Sequence, residues 1–343
     1  MINLYIDFWE RGRRFMHEFT IQKDDAGQRL DKFLSKALPS LPVSLLYKSL
    51  RTKKIKVNRH RADGKQMLLV GDTVQLFLPD EFFPAKGENT SLPTFAAIKT
   101  NLSVLYEDEN ILLVCKRPGV CAHEDAEGNQ NSLILHIKAY LYQKGEYDPE
   151  GSLSFAPALC NRIDRNTGGI VIAAKNAESL RILNEAIKNR ELDKFYLCAV
   201  HGVPKPKSAL LSGYLIKDAD RNTVRVYDKN PPRGAKDIRT RYRVLAEADG
   251  LSLLEVELLT GRTHQIRAHM AHIGHPLLGD GKYGINRADR EQGYKYQALW
   301  SYRLTFSFPE DASHMLSYLR GKTFTVPKEE IYFLAPFERS FTL

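Results

Sequence analysis

Cysteine is scarce: Cys115, Cys121, Cys160 and Cys198 are the only four in 343 residues, and no two form a C-x-x-C pair. That spacing argues against a disulfide framework and against structural zinc, and leaves reduced, mostly buried thiols of a cytoplasmic protein as the expectation. Long apolar runs are also missing. The longest, such as Ile111 to Cys115 and Ile170 to Ala174, fall far short of the roughly 18 residues that a membrane span needs. Met1 to Phe15 carries Asp7, Glu10 and three arginines with no apolar segment, so neither a signal peptide nor a tag is expected and the folded part is expected to start near Met16. Acidic residues are the third shortage. The 41 Asp and Glu against 50 Lys and Arg leave a net charge of +9, which points to a polyanionic partner.

What is present is ordinary for a globular chain: 43% apolar and 27% charged residues. At about 150 residues per domain, the length suggests two modules. After Gly27, the positions Leu30, Phe33, Leu34, Ala37 and Leu38 recur at helical spacing and predict one buried stripe. Pro39 and Pro42 break the chain before a second helix over 44–52, and short strands are expected at 55–58 and 73–78. Lys48, Arg51, Lys53, Lys54, Lys56, Arg59, Arg61 and Lys65 face only Asp63 in this stretch, an imbalance that favours phosphate binding over a merely solvated face. Residues 81–101 lack periodicity and read as a linker. From 102 to 343, strands are expected at 111–115, 169–174, 195–201, 240–246 and 252–259, with a helix over 176–187. The fold class expected is α+β.

Three segments could carry chemistry. Asp164 lies between Arg162 and Arg165 ahead of a Gly168-Gly169 turn, although a turn Asp capping its own backbone reads the same way. Between Gly261 and Pro276 stand His264, His269, His272 and His275, with no H-E-x-x-H pattern and no carboxylate among them, so no metal is expected there. In Lys194-Phe195-Tyr196-Leu197, alternation puts Tyr196 and Cys198 on one face of a strand, as core filler or as a platform for a base.

Two family resemblances join these pieces. Arg29-Leu30-Asp31-Lys32-Phe33-Leu34, Lys54-Ile55-Lys56-Val57-Asn58 and Gly71-Asp72 resemble the S4 RNA-binding domain. This implies two helices and a small sheet over 17–80 that grip the RNA backbone, with Arg29, Lys32, Lys48, Arg51, Lys53, Lys54 and Lys56 as candidate contacts. Lys116-Arg117-Pro118-Gly119, Arg162 through Gly169, Lys194-Phe195-Tyr196, and the run from Thr260 to Arg267 with Gly274-His275-Pro276, Gly279-Asp280 and Tyr283-Gly284 resemble the RluA-type pseudouridine synthases. That resemblance implies a large mixed, mostly antiparallel sheet flanked by helices over 102–343. It implies Asp164 as the catalytic carboxylate, Arg267 paired with it, Tyr196 stacked on the uracil ring, Ile266 as an apolar wall, and Arg162 entering the RNA stack when a uridine flips out. A second basic stretch, Arg221 to Arg243 with Arg225 and Arg233, is expected to help hold the RNA.

The implied reaction detaches uracil from ribose, turns it and rejoins it through carbon, so no cofactor and no metal is expected. The implied substrate is large-subunit ribosomal RNA, and the protein is expected to be a cytoplasmic monomer. The alternatives are a synthase acting on transfer RNA, a non-catalytic S4-type RNA-binding or ribosome-assembly protein, and a metal hydrolase built on the histidines. The sequence departs from the family at three places: Asn161 and Trp300 stand where His is commoner, and Gly168 where Ser is commoner.

Overall fold

The computed structural model describes residues 16–83, 93–124, 131–218 and 223–341. The first fifteen residues, the middle of the expected linker and Arg221 of the second basic stretch lie outside the described residues. The chain forms two compact units: residues 1–98 with 138–157 and 176–178, and residues 99–137 with 158–175 and 179–343.

In the first unit, β1 (Met16–Thr20) precedes helices α1 (Leu30–Ala37) and α2 (Val43–Arg51), then β2 (Ile55–Val57), β3 (His60–Arg61) and β4 (Thr73–Phe77). The strands form an antiparallel sheet in the order β1-β4-β2-β3. The helical stripe read from sequence is its core: Leu30, Phe33, Leu34 and Leu38 are fully buried against Leu46, Ile55, Val74 and Leu76. Each such side chain stabilises the unit by about 1.5–3 kcal/mol relative to exposure. The later part of the expected linker is folded: Phe95 is buried between Tyr142 and Tyr147, with ring centroids 5.9 Å from each. Asp25 accepts from Ser152 Oγ at 3.0 Å and from the Ser154 backbone N–H at 2.9 Å, so residues 138–157 join this unit through a buried carboxylate.

From residue 99 the chain runs β5 (Ser103–Glu107), β6 (Ile111–Lys116), α3 (Leu133–Gln143), β7 (Ala158–Leu159), β8 (Gly168–Ala174), α4 (Ala177–Asn189), β9 (Leu192–His201), β10 (Ser208–Asp218) and β11 (Thr223–Tyr227), with the end of α3 and the first residues of α4 counted in the first unit and the strands in the second. It continues with β12 (Lys236–Ala248), β13 (Leu251–Leu258), α5 (Gln265–His272), α6 (Arg287–Glu291), β14 (Leu299–Phe306) and β15 (Thr323–Thr325). Eleven strands make one sheet, ordered β11-β10-β12-β13-β9-β14-β8-β6-β5, with β15 on β14 and β7 on β8. Among the named strands described, only β8 and β14 pair in parallel. This is the α+β class with the mixed, mostly antiparallel sheet that the sequence implied. Ile111, Leu113, Ile170, Ile172, Leu197, Trp300 and Phe306 fill its core with Phe333 and Phe337 from the C-terminal segment. The central strands are buried on both faces, which is why β6 and β8 read as unbroken apolar runs rather than as alternation.

Candidate active site

Asp164 sits in the loop between β7 and β8, and the turn closes where the Thr167 N–H donates to the Asp164 carbonyl at 3.0 Å. A buried lysine braces this loop. Lys116, at the end of β6, gives its Nζ to the carbonyls of Arg165 at 2.8 Å, Val120 at 2.9 Å and Arg117 at 3.1 Å. Burial pushes the Lys116 ammonium down to about 8, against the pull of the Asp164 charge, so it is still a cation at neutral pH. The Gly119 N–H donates to the Arg165 carbonyl at 2.9 Å and Arg165 Nε donates back to the Gly119 carbonyl at 3.1 Å, tying the two loops together.

Arg267 comes from α5, which a buried glutamine fixes to the sheet: Gln265 Nε2 donates to the Arg239 carbonyl and to Thr240 Oγ1, both at 3.0 Å. Arg267 Nε and Nη2 donate to the two oxygens of Asp280 at 2.7 and 2.8 Å, and Nη1 donates to Asp164 Oδ2 at 2.9 Å. Burial disfavours both charges, yet the two carboxylates raise the guanidinium above its ordinary value. Burial likewise lifts Asp280, but the Arg267 hydrogen bonds and charge, with the backbone N–H of Lys282 and Tyr283, bring it below its ordinary value. The bidentate grip of Asp280 orients the planar guanidinium so that its remaining edge meets Asp164.

Asp164 is the open member of this group, with 23% of its side chain exposed against none for Asp280. Among the described residues, its Oδ1 accepts no hydrogen bond, which leaves one carboxylate oxygen for a substrate. His264 closes another side. It holds a left-handed backbone (φ 54°) ahead of α5, places Nε2 3.7 Å from Asp164 Oδ2, and shares a 2.8 Å hydrogen bond between Nδ1 and the Tyr283 hydroxyl. Burial lowers its pKa, so the ring is neutral at pH 7. The Tyr283 ring lies 5.2 Å from the Arg267 guanidinium, and its hydroxyl accepts from the Val224 N–H at 2.9 Å.

Tyr196 lies on β9 in register with Ser301 of β14 and Val256 of β13, and is almost fully buried. Burial, with the Asp164 charge adding to it, pushes its phenol up to about 12. Only about one part in 10⁵ is phenolate at pH 7, so Tyr196 offers a flat ring and a neutral hydroxyl rather than a standing base. Ile266 is buried beside Arg267 on α5, and Arg162 is exposed on the loop that carries Asp164. The sequence named Lys116, Asp280, His264 and Tyr283 as motif positions and gave them no role. The signal for Asp280 was a carboxylate that must be paired if buried; nothing in the spacing identified its partner.

Asn161 takes its place without disturbing the sheet. Its amide donates to the Ile170 carbonyl at 3.2 Å and accepts from the Ile172 N–H at 2.8 Å, continuing the β7–β8 pairing with a side chain. Among the described residues, no group of three or more His, Cys, Asp or Glu is placed to hold a metal, and no helix is long and apolar enough to cross a membrane. His269 is instead bonded to Thr240 Oγ1 at 2.9 Å and His275 to the His201 carbonyl at 2.8 Å.

The expected RNA contacts divide. Lys32, Lys48, Arg51, Lys53 and Lys54 are exposed, and Lys56 lies 5.4 Å over the Phe77 ring. Arg29 is engaged within its own unit, with Nε donating to Asp31 at 3.1 Å. On the second basic stretch, Arg233 is exposed in the turn between β11 and β12, and Arg225 lies 3.6 Å from Asp218. Arg241 and Arg243 pair across strands with Glu257 and Glu255.

A family of RNA pseudouridylate synthases matches residues 110–272 of the chain. The chain is 33% identical over 300 residues to an uncharacterized RNA pseudouridine synthase of Mycoplasma genitalium, covering 85% of this chain and 90% of the relative. It is 31% identical over 275 residues to ribosomal large subunit pseudouridine synthase C of Vibrio parahaemolyticus, covering 80% and 82%. Among solved structures, the human RNA pseudouridylate synthase domain containing 4 shares the fold, with a TM-score of 0.53 at 19% identity over 68% of this chain and 92% of that one.

Proposed function

From the premise that the chain belongs to the RluA-type RNA pseudouridine synthases, we propose that it isomerises specific uridines of large-subunit ribosomal RNA, with Asp164 as the catalytic carboxylate. The observation that carries the Asp164 assignment is its half-open carboxylate, bonded to Arg267 through Oδ2 while Oδ1 stays available. The reaction breaks the bond between N1 of uracil and the sugar, joins C5 to the same sugar carbon, releases the C5 proton and leaves a proton on N1. It is an isomerisation with no net redox change. The residues divide the work accordingly. Asp164 acts on the reacting nucleoside, Arg267 holds its charge in place, and Tyr196 and Ile266 flank the detached base while it turns. A stacked uridine cannot reach a carboxylate at this depth, so the nucleotide leaves the helix and Arg162 takes up the vacated position. Residues 17–80 act as an S4-type module that grips structured RNA by its backbone, helped by Arg225 and Arg233, and the protein works as a cytoplasmic monomer. The ribosomal substrate is supported by the names of relatives such as the Vibrio enzyme.

The test compares pseudouridine maps of total RNA from cells lacking the chain and cells complemented with it. The wild type is expected to restore sites in large-subunit ribosomal RNA, and Asp164→Asn none, while the purified variant binds RNA within about twofold of wild type. Sites restored only in transfer RNA would move the substrate, and restoration by Asp164→Asn would remove Asp164 from its role.

A further inference from the structure

Gly168 opens β8 four residues after Asp164 and stands in parallel register with Trp300 of β14. A Cβ built on Gly168 would come within 2.6 Å of Trp300 Cδ2, and closer still to Cε3 and Cζ3. No side chain fits there while the indole stays. The backbone of Gly168 is not left-handed, so the requirement for glycine comes from the neighbouring ring and not from torsion. Gly169 is different: its φ is +113°, and a Cβ would meet Ser301 backbone atoms at 2.6 Å.

Trp300 is 2% exposed, and the group set against its indole N–H is the Cys115 thiol, a weak acceptor, with no nitrogen or oxygen partner among the described residues. A thiol accepts only weakly, so what the buried ring chiefly supplies here is its shape. Around it, the segment leading into β14 holds the Asp164 turn a second time: Gln297 Nε2 donates to Thr167 Oγ1 at 3.1 Å, and the Thr167 N–H closes on the Asp164 carbonyl. The two positions are also two of those at which the sequence departs from the commoner Ser and His. Together they make one exchange, a smaller residue on β8 for a larger ring on β14.

We infer that Trp300 is a positioning residue for Asp164, acting through a steric interlock with Gly168. Arg267 orients the carboxylate, and the interlock sets the backbone that carries it. The inference rests on Asp164 being the catalytic carboxylate. It makes the two substitutions interdependent, because a histidine at 300 lacks the benzo ring whose Cε3 and Cζ3 come closest to the added Cβ.

The experiment is a double-mutant cycle of Gly168→Ala and Trp300→His in the full chain. It is read as kcat and KM for release of tritium from 5-tritiated ribosomal RNA of cells lacking the protein, and as the thermal midpoint without RNA. Gly168→Ala is expected to lose at least tenfold in kcat with KM within twofold, and the double variant to recover most of that loss. A Gly168→Ala variant with wild-type kcat, or a double variant no better than Gly168→Ala, overturns the inference. If Gly168→Ala does not fold, a folded and active double variant supports the interlock and an unfolded one overturns it. A wild type that releases no tritium counts against the ribosomal substrate instead. The interlock is then read in the midpoints, where rescue by Trp300→His supports it and additive losses overturn it.

Discussion

Asp164 and Asp280 share a single guanidinium: Arg267 gives Nη1 to the first and Nε with Nη2 to the second. The arrangement makes the buried carboxylate the anchor and leaves the other partly open to solvent. Removing charge from Asp280 frees the guanidinium to swing, although Asp280 is fully buried and Asp164 is the group left open to substrate.

Asp280→Asn is therefore expected to lower kcat by about 10²-fold, the loss typical of a misplacement of about 1 Å. Arg267→Lys should do at least as much, because an ammonium cannot bridge two carboxylates in a fixed plane. Single-turnover rates with RNA binding measured in parallel check this; equal losses in affinity and rate would point to unfolding.

Acid should weaken the fold through His269. Burial holds its pKa down to about 4, against about 6.5 in the unfolded chain. Between those values the unfolded state binds the extra proton, so stability is complete above pH 6.5 and falls as pH drops toward 4. The loss amounts to about 3 kcal/mol at pH 4. Urea midpoints at pH 7.5 and 5 are expected to differ less for His269→Gln than for wild type.

Salt dependence should separate the basic residues. Each of Lys48, Arg51 and Lys54 changed to Ala is expected to weaken RNA binding and lower the slope of log K against log salt by about 0.7–0.9. Arg233→Ala should behave likewise. Arg241→Ala should leave the slope unchanged, since that side chain is paired with Glu257. Filter binding from 50 to 300 mM salt distinguishes the two classes.

Asn161→Ala strands a backbone donor and a backbone acceptor at the edge of β8. It is expected to cost about 1–3 kcal/mol of stability. The urea midpoint should fall, with activity retained at low temperature.

Much of this was legible in the sequence. The stripe from Leu30 to Leu38 follows from helical periodicity, and the strands at 111 and 170 from unbroken apolar runs. The pairing of Asp164 with Arg267 came from resemblance, because they lie on separate loops and helices and no spacing brings them together. Strand β10 gave no signal, with Leu210 and Tyr214 exposed and Gly213 in its middle. The basic stretch read as one feature because charge counts ignore direction. In the fold Arg241 and Arg243 meet glutamates of the next strand, and Arg233 sits on the turn. The contact between Gly168 and Trp300 depends on a strand crossing that neither segment announces.

That crossing also dates the site within the life of the chain. Gly168 and Trp300 lie 132 positions apart, and the strands between them must be laid down before β14 can slide in beside β8. Contacts of such long range form late. A growing chain carries Asp164 and its surrounding motif for more than a hundred residues of synthesis before β14 exists to pack against them.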